Sequence, residues 1–568
     1  MSKRETHNSE IISQICKFSL LVIALGVFGG TSQAQGPGKN AIASAHPLAT
    51  EAGRRVLNSG GNAFDAAIAV AAALAVVEPY SSGIGGGGFF LLHLAEDGTE
   101  IFLDAREKAP KNASTDMYLD DKGEFVRKKS LDGPLAAAIP GLPAALAHIA
   151  QNYGNLPLAE SLLPAIHLAR AGFEIGPRYR RMATFRAASF ADYPLGASIF
   201  LSEGAAPPVG YKIVQEDLAQ TLESIGSDYA ESFYHGSLAT KLVEGVRNGG
   251  GIWTMEDLEE YTVEKRAPLI SDYHGIKVIS APPPSSGGVA LIQALNILER
   301  YPLRSFSSAD RAHIVIESMR LAYRDRADFL GDPDFVDIPI QDLLDKDYAR
   351  KLAGNLDLQK ATPSTALPEI QLHREGTDTT HLSVLDAVGN RVAATLSINY
   401  PFGALMVPDG TGVLLNNEMD DFSARPLTPN AYGLVGAGAN AIEAEKRPLS
   451  SMTPTFLESD NRVAIIGTPG GSRIISMVLI GALEFAYGNS VQDWVTAKRY
   501  HHQYLPDEVQ FELGGFDSPT KKILAERGHQ LKEITRNYGN MQAILWDKRE
   551  GFVDAASDPR GEGSATTW

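Results

Sequence analysis

Cysteine is nearly missing from this 568-residue chain, where Cys16 stands alone. It lies inside an N-terminal stretch that reads as removable, so the working protein has no thiol nucleophile, no thiolate metal site and no disulfide. Basic excess is missing too. Lysine and arginine number 51 against 68 aspartates and glutamates, a formal charge of −17. No basic run offers a phosphate-tracking surface, which excludes nucleic acid as the expected partner. The chain also lacks a G-x-S-x-G nucleophile elbow, a Walker phosphate loop and an H-E-x-x-H zinc motif. Gly83 to Gly88 (GIGGGG) follows a helical pattern and precedes a strand pattern, the reverse of dinucleotide-binding order, so it reads as close backbone packing. His501-His502 is an adjacent pair whose side chains point apart, and it reads as structural. Neither a cofactor nor a metal is expected.

What is present suits a large globular protein, with 44% hydrophobic and 21% charged residues. Lys3, Arg4 and Lys17 precede the apolar run Phe18 to Phe28, and Ser32-Gln33-Ala34 follows it. That order reads as a secretory signal over residues 1–34, cleaved ahead of Gln35, because the run is too short to cross about 30 Å of hydrocarbon. An exported protein without disulfides fits a bacterial periplasm, with secretion as the alternative. A second apolar stretch, Ala63 to Val77, contains Asp65 and stops at Glu78-Pro79, so it predicts a buried alanine-rich helix. A helix over Leu48 to Asn58, ended by Gly60-Gly61, is expected before it. Phe89 to Ala95 and Ile101 to Asp104 flank Glu96-Asp97-Gly98 as a hairpin. Helices are expected again between Leu142 and Ala171, Asp217 and Asn248, and Ser308 and Phe329.

Lys360 to Asp378 is the clearest break in composition, with prolines, threonines and charges but no apolar period. It predicts an exposed linker. A strand is expected from Thr379, and Val388-Gly389-Asn390 turns it into a second strand over Arg391 to Ile398. In that second strand Val392, Ala394, Leu396 and Ile398 share a core face, and Thr395, Ser397 and Asn399 share a polar one. A threonine pair placed directly after a linker makes sense if the chain is cut there. The α-amine freed by the cut, with a pKa of about 8, can take the proton of the adjacent hydroxyl and make it a nucleophile. Sequence chemistry leaves open whether Thr379 or Thr380 is freed. Thr468 to Ser472 (TPGGS) lies between a strand pattern over Val463 to Ile466 and a helical one over Ile474 to Ala486. Its backbone N–H groups suit an acyl oxyanion.

Thr379 to Val384 (TTHLSV), Leu414 to Ser423 (LLNNEMDDFS), Lys446 to Met452 (KRPLSSM) and Pro469 to Arg473 (PGGSR) closely resemble the γ-glutamyltransferase family of N-terminal nucleophile hydrolases. Gly85 to Gly88, Asp104 to Pro110 (DAREKAP), Pro282 to Gly288 (PPPSSGG) and Ala556 to Arg560 (ASDPR) extend the resemblance over nearly the whole mature chain. It implies an αββα sandwich and a precursor cut before Thr379 into subunits 35–378 and 379–568 that stay together as a heterodimer. It also implies transfer of the γ-glutamyl group of glutathione to water, an amino acid or a dipeptide. By the same resemblance Thr379 is the nucleophile, Thr380 and Ser397 support it, and Gly470 and Gly471 hold the oxyanion. Arg106, Ser450 and Ser451 match the groups that hold the donor's α-carboxylate, and Asn399, Glu418 and Asp421 those that hold its α-amine. Such a zwitterion needs a guanidinium with hydroxyls at one end and carboxylates at the other. Arg425 to Gly436 corresponds to a loop covering the bound glutamyl group, with Tyr432 in it. Two alternatives stand: a glutaryl or cephalosporin acylase of the same superfamily, and an uncut, non-catalytic envelope binding protein.

Overall fold

The computed structural model describes residues 36–364, 379–423, 438–536 and 538–568. The signal-like segment 1–34, the linker residues 365–378 and most of the covering loop, including Tyr432, lie outside the described residues. Before residue 365 the chain contributes β1 (Ala41–Ser44), β2 (Gly87–Leu94), β3 (Thr99–Ala105), β4 (Glu264–Arg266), β5 (Leu269–Tyr273) and β6 (Ile276–Ser280). From residue 379 onward come β7 (Thr380–Leu385), β8 (Arg391–Ser397), β9 (Thr455–Glu458), β10 (Arg462–Gly467), β11 (Gln542–Asp547), β12 (Phe552–Ser557) and β13 (Ser564–Thr567). A seven-stranded sheet runs β13-β1-β7-β8-β2-β3-β4, and a six-stranded sheet runs β12-β11-β10-β9-β6-β5. Both sheets mix strands from the two sides of the linker.

Strand alternation makes the layers. Ile42, Phe90, Leu92, Val384, Val392 and Leu396 leave one face of the larger sheet and pack on α1 (Pro47–Asn58) and α2 (Ala63–Val77). Ala43, Phe89, Leu91 and Ala393 leave the other face and meet Phe456, Ala464 and Ile544 of the smaller sheet. That sheet is covered in turn by α3 (Gly287–Leu298), α4 (Ser308–Phe329) and α5 (Ile474–Ala486). The order is αββα, as the resemblance implies. The buried reading of α2 holds along its whole length, and Asn62 with Asp65 forms its capping box.

Two expectations need correction. The strand begins at Thr380, with Thr379 just ahead of it. The linker's first residues are anchored instead of solvated: the Thr362 N–H donates to Glu317 at 3.1 Å, the Ser364 N–H donates to Asp507 at 2.8 Å, and Ser364 is buried. The buried Glu317 carboxylate on α4 and the half-buried Asp507 carboxylate in the loop after His502 give those N–H groups better partners than water. The GIGGGG run packs as read, since a Cβ on Gly85, Gly86 or Gly88 would sit 2.2–2.4 Å from the carbonyls of Leu414, Ser397 and Thr395.

Candidate active site

Thr379 and Thr380 point to opposite faces because strand side chains alternate. The Thr380 hydroxyl donates to Glu78 at 2.8 Å at the end of α2, on the helix side of the sheet. Thr379 takes the inter-sheet side and lines a cleft with Arg106, Ser397, Asn399, Glu418, Asp421, Ser450, Ser451, Gly471 and Ser472. Of the two threonines, Thr379 alone faces the cleft. The polar face of β8 is turned inward as well. Thr395 bonds the His381 ring at 2.8 Å, and Ser397 accepts the Asn399 N–H at 2.8 Å in a turn where Asn399 has φ +68°.

The glycine turn arrives from the neighbouring sheet. β10 ends at Gly467, packed on the His381 ring, and the chain passes through Gly470 (φ +145°) and Gly471 (φ +56°) before α5. Both torsions favour glycine. Neither N–H is taken by another group among the described residues, and Gly471 lines the cleft. The Tyr323 hydroxyl of α4 donates to the Ser472 carbonyl and holds the turn from behind. A side chain at position 470 would strain this turn by about 1–3 kcal/mol. Gly470→Ala is therefore expected to lower kcat about tenfold or more and to slow any self-cleavage in parallel, checked by single-turnover assay and by gel.

Arg106 follows β3 and is fully buried. Its guanidinium bridges Glu418 and Asp421, the latter at 2.6 Å, and donates to the carbonyls of Pro448 at 3.0 Å and Leu449 at 3.4 Å. The acids expected to await a substrate cation thus already share a protein cation. Glu107 stands 3.6 Å from the same guanidinium, buried rather than in a surface pair. Three carboxyl groups crowd one guanidinium. Burial pushes the Glu107 carboxyl up to about 7 and Glu418 well above its usual range. A further cation entering here would be stabilised.

The serine pair is set by the proline-rich segment of the first half. Ser286 N–H donates to the Ser450 carbonyl at 2.8 Å, and Ser450 N–H donates to the Pro284 carbonyl at 2.9 Å. One cleft therefore combines a threonine at a strand start, free backbone donors and a site with both charge signs. A family model described as gamma-glutamyltranspeptidase matches residues 49–568. The chain belongs to the gamma-glutamyltranspeptidase family. The glutathione hydrolase proenzyme of Escherichia coli (strain K12) is 42% identical over 527 residues, covering 91% of this chain and 90% of its own. Among solved structures, a cephalosporin acylase from Bacillus halodurans superposes with TM-score 0.84 at 29% identity, covering 93% of this chain and 96% of its own. A Helicobacter pylori gamma-glutamyltranspeptidase chain is 41% identical with TM-score 0.56, covering 58% of this chain and 96% of its own.

Membership in this family leaves several buried polar groups to be explained. His313, Glu317 and His529 offer ligand atoms within 4.8 Å of one another, but hydrogen bonds account for them. His313 Nε2 donates to the Asp357 carbonyl at 2.8 Å, so its Nδ1 accepts from His529 Nε2 at 2.7 Å. Glu317 serves Arg320 and the Thr362 N–H. His93, Glu100 and Glu458 likewise lie beside Lys277 and Arg391. His501 and His502 are buried, bonded to Ser476 and Asp507. Sequence reasoning missed Glu78, Glu107 and Tyr323. Of these Glu78 left a signal, an acid closing an otherwise apolar helix.

Proposed function

We propose that this chain is a self-cleaving γ-glutamyl transferase and glutathione hydrolase. The observation that supports it best is the single cleft in which Thr379 meets Gly471 of the glycine turn and the Arg106, Glu418, Asp421, Ser450 and Ser451 set. In this reading a signal over residues 1–34 is removed on export, and the chain is cut before Thr379 into subunits 35–378 and 379–568 that remain one heterodimer. The freed amine of Thr379 takes the proton of its own hydroxyl, and Oγ1 attacks the γ-carbonyl carbon of the donor. The oxyanion rests on the Gly470 and Gly471 N–H groups. As the C–N bond breaks, the proton passes from the Thr379 amine to the leaving nitrogen. A γ-glutamyl ester on Thr379 remains. Water, an amino acid or a dipeptide then attacks that ester, giving up a proton to the same amine, and Oγ1 leaves with that proton returned to it.

Arg106 with the two serines orients the donor's α-carboxylate, while Asn399, Glu418 and Asp421 receive its α-ammonium. Tyr432 belongs to the loop that covers the donor. The test is turnover of a γ-glutamyl anilide, with and without a dipeptide acceptor, by protein that runs as two bands on a denaturing gel. Absence of turnover by fully cut protein would reject the reading. Arg106→Lys keeps the charge but cannot donate to two acids and two carbonyls from one plane. It is expected to raise the donor KM about tenfold or more with cutting intact, since a charge-assisted hydrogen bond is worth about 1.5–3 kcal/mol. An unchanged KM would remove Arg106 from the donor site. The likeness to a cephalosporin acylase supports a second reading, hydrolysis of glutaryl-type amides by the same threonine.

A further inference from the structure

Among the described residues, Arg326 is a buried cation without an ion-pair partner. It lies on α4 and is 4% exposed. Burial alone pushes its guanidinium down to about 10, against weak attractions from Tyr323 and Asp421. Asp421 is already engaged at 2.6 Å by Arg106. A buried, unpaired cation is costly, and a counter-charge arriving with a ligand would remove that cost.

Its two hydrogen bonds lead to the serine pair. Arg326 Nε donates to Ser286 Oγ at 2.9 Å, and that hydroxyl donates in turn to the Ser450 carbonyl at 2.6 Å. Arg326 Nη2 reaches Ser451 Oγ at 3.4 Å, and Ser451 lines the cleft. A hydroxyl that accepts from a guanidinium keeps its own proton for another acceptor and donates it more strongly. Tyr323, one turn earlier on α4, holds the Ser472 carbonyl of the glycine turn. One helix of the first half therefore braces both ends of the cleft.

We propose that Arg326 is a positioning residue for the donor's α-carboxylate, supplying a second positive charge from behind Ser450 and Ser451. Arg106 is already shared between two acids, so a carboxylate entering the cleft finds its uncompensated positive field at Arg326, transmitted through the Ser451 hydroxyl. The inference rests on the reading of the serine pair as the carboxylate subsite. It goes beyond that reading by placing the balancing charge on α4.

Three anilides separate the contributions: γ-glutamyl, 4-aminobutanoyl (no carboxylate) and glutaryl (no amine). Wild type should prefer γ-glutamyl over 4-aminobutanoyl by about 100-fold or more in kcat/KM, the scale of losing a charge recognised in a desolvated site. In Arg326→Gln that preference should fall about tenfold, through KM with kcat nearly unchanged. The preference for γ-glutamyl over glutaryl should not move. Arg326→Lys keeps the charge without the fork and should lose about threefold. An unchanged carboxylate preference in Arg326→Gln, or in Arg326→Lys should the first variant not mature, would overturn the inference. Failure of both to mature would assign Arg326 to the fold and overturn it equally. A wild type indifferent to the carboxylate would instead reject the reading of the serine subsite itself.

Discussion

Replacing Thr379 with alanine is expected to leave the chain as one uncut band and to reduce activity by at least about 10⁴-fold, the scale of losing a nucleophile. The reason is positional. Thr379 alone of the two threonines opens onto the cleft, and the Thr380 hydroxyl is committed to Glu78 on the far side of the sheet. Thr380→Ala should therefore still yield a smaller band whose N-terminal sequence begins at Thr379, although more slowly, since the start of β7 loses its tie to α2. An N-terminus at residue 380, or full activity in uncut Thr379→Ala, would sink the assignment. The gel also decides against a non-catalytic binding protein, which would never show two bands.

Wild-type protein should hydrolyse a γ-glutamyl anilide with kcat/KM on the order of 100-fold higher than the matched glutaryl anilide. Glu107, Glu418 and Asp421 crowd one guanidinium, and burial raises the Glu107 and Glu418 carboxyls. A donor ammonium gives those acids a cation to ionise against. A glutaryl group lacks the ammonium and brings only another carboxylate. Asp421→Asn removes one negative charge and releases part of Arg106, so it should damage the γ-glutamyl reaction while sparing the glutaryl one. Equal wild-type rates on the two anilides would mean that the acids serve Arg106 and the fold, and the acylase reading would prevail.

Much of this site could be read in advance because its parts are local. Alternation along Arg391 to Asn399 and the TPGGS turn each depend on a few neighbouring residues, and the structure retains both. Residue types alone did not reveal their arrangement across the sandwich. Arg106 and Glu418 are 312 positions apart in sequence, and only the fold shows that they are each other's partners. The polar face of β8 was legible as polar, but its burial follows from the second sheet lying over it. Linker composition at 360–364 suggested exposure because composition is blind to the Glu317 and Asp507 carboxylates that anchor it. Tyr323 and Arg326 sit within a helix legible from periodicity, yet their direction toward the cleft depends on how α4 packs on the smaller sheet.

The central position of β7 and β8 has a consequence for reversibility. These strands lie between β1 and β2, so the piece after Thr379 is bordered on both sides by strands from before it. While the chain is whole, its two parts find each other at the high effective concentration of a tether. If the bond before Thr379 is cut, as proposed, an unfolded molecule becomes two chains that diffuse apart. Refolding then becomes a bimolecular event that weakens with dilution, whereas the precursor refolds at any concentration. The proposed cut would thus make folding a step the molecule completes once, after which its lifetime would depend on the unfolding barrier rather than on an equilibrium.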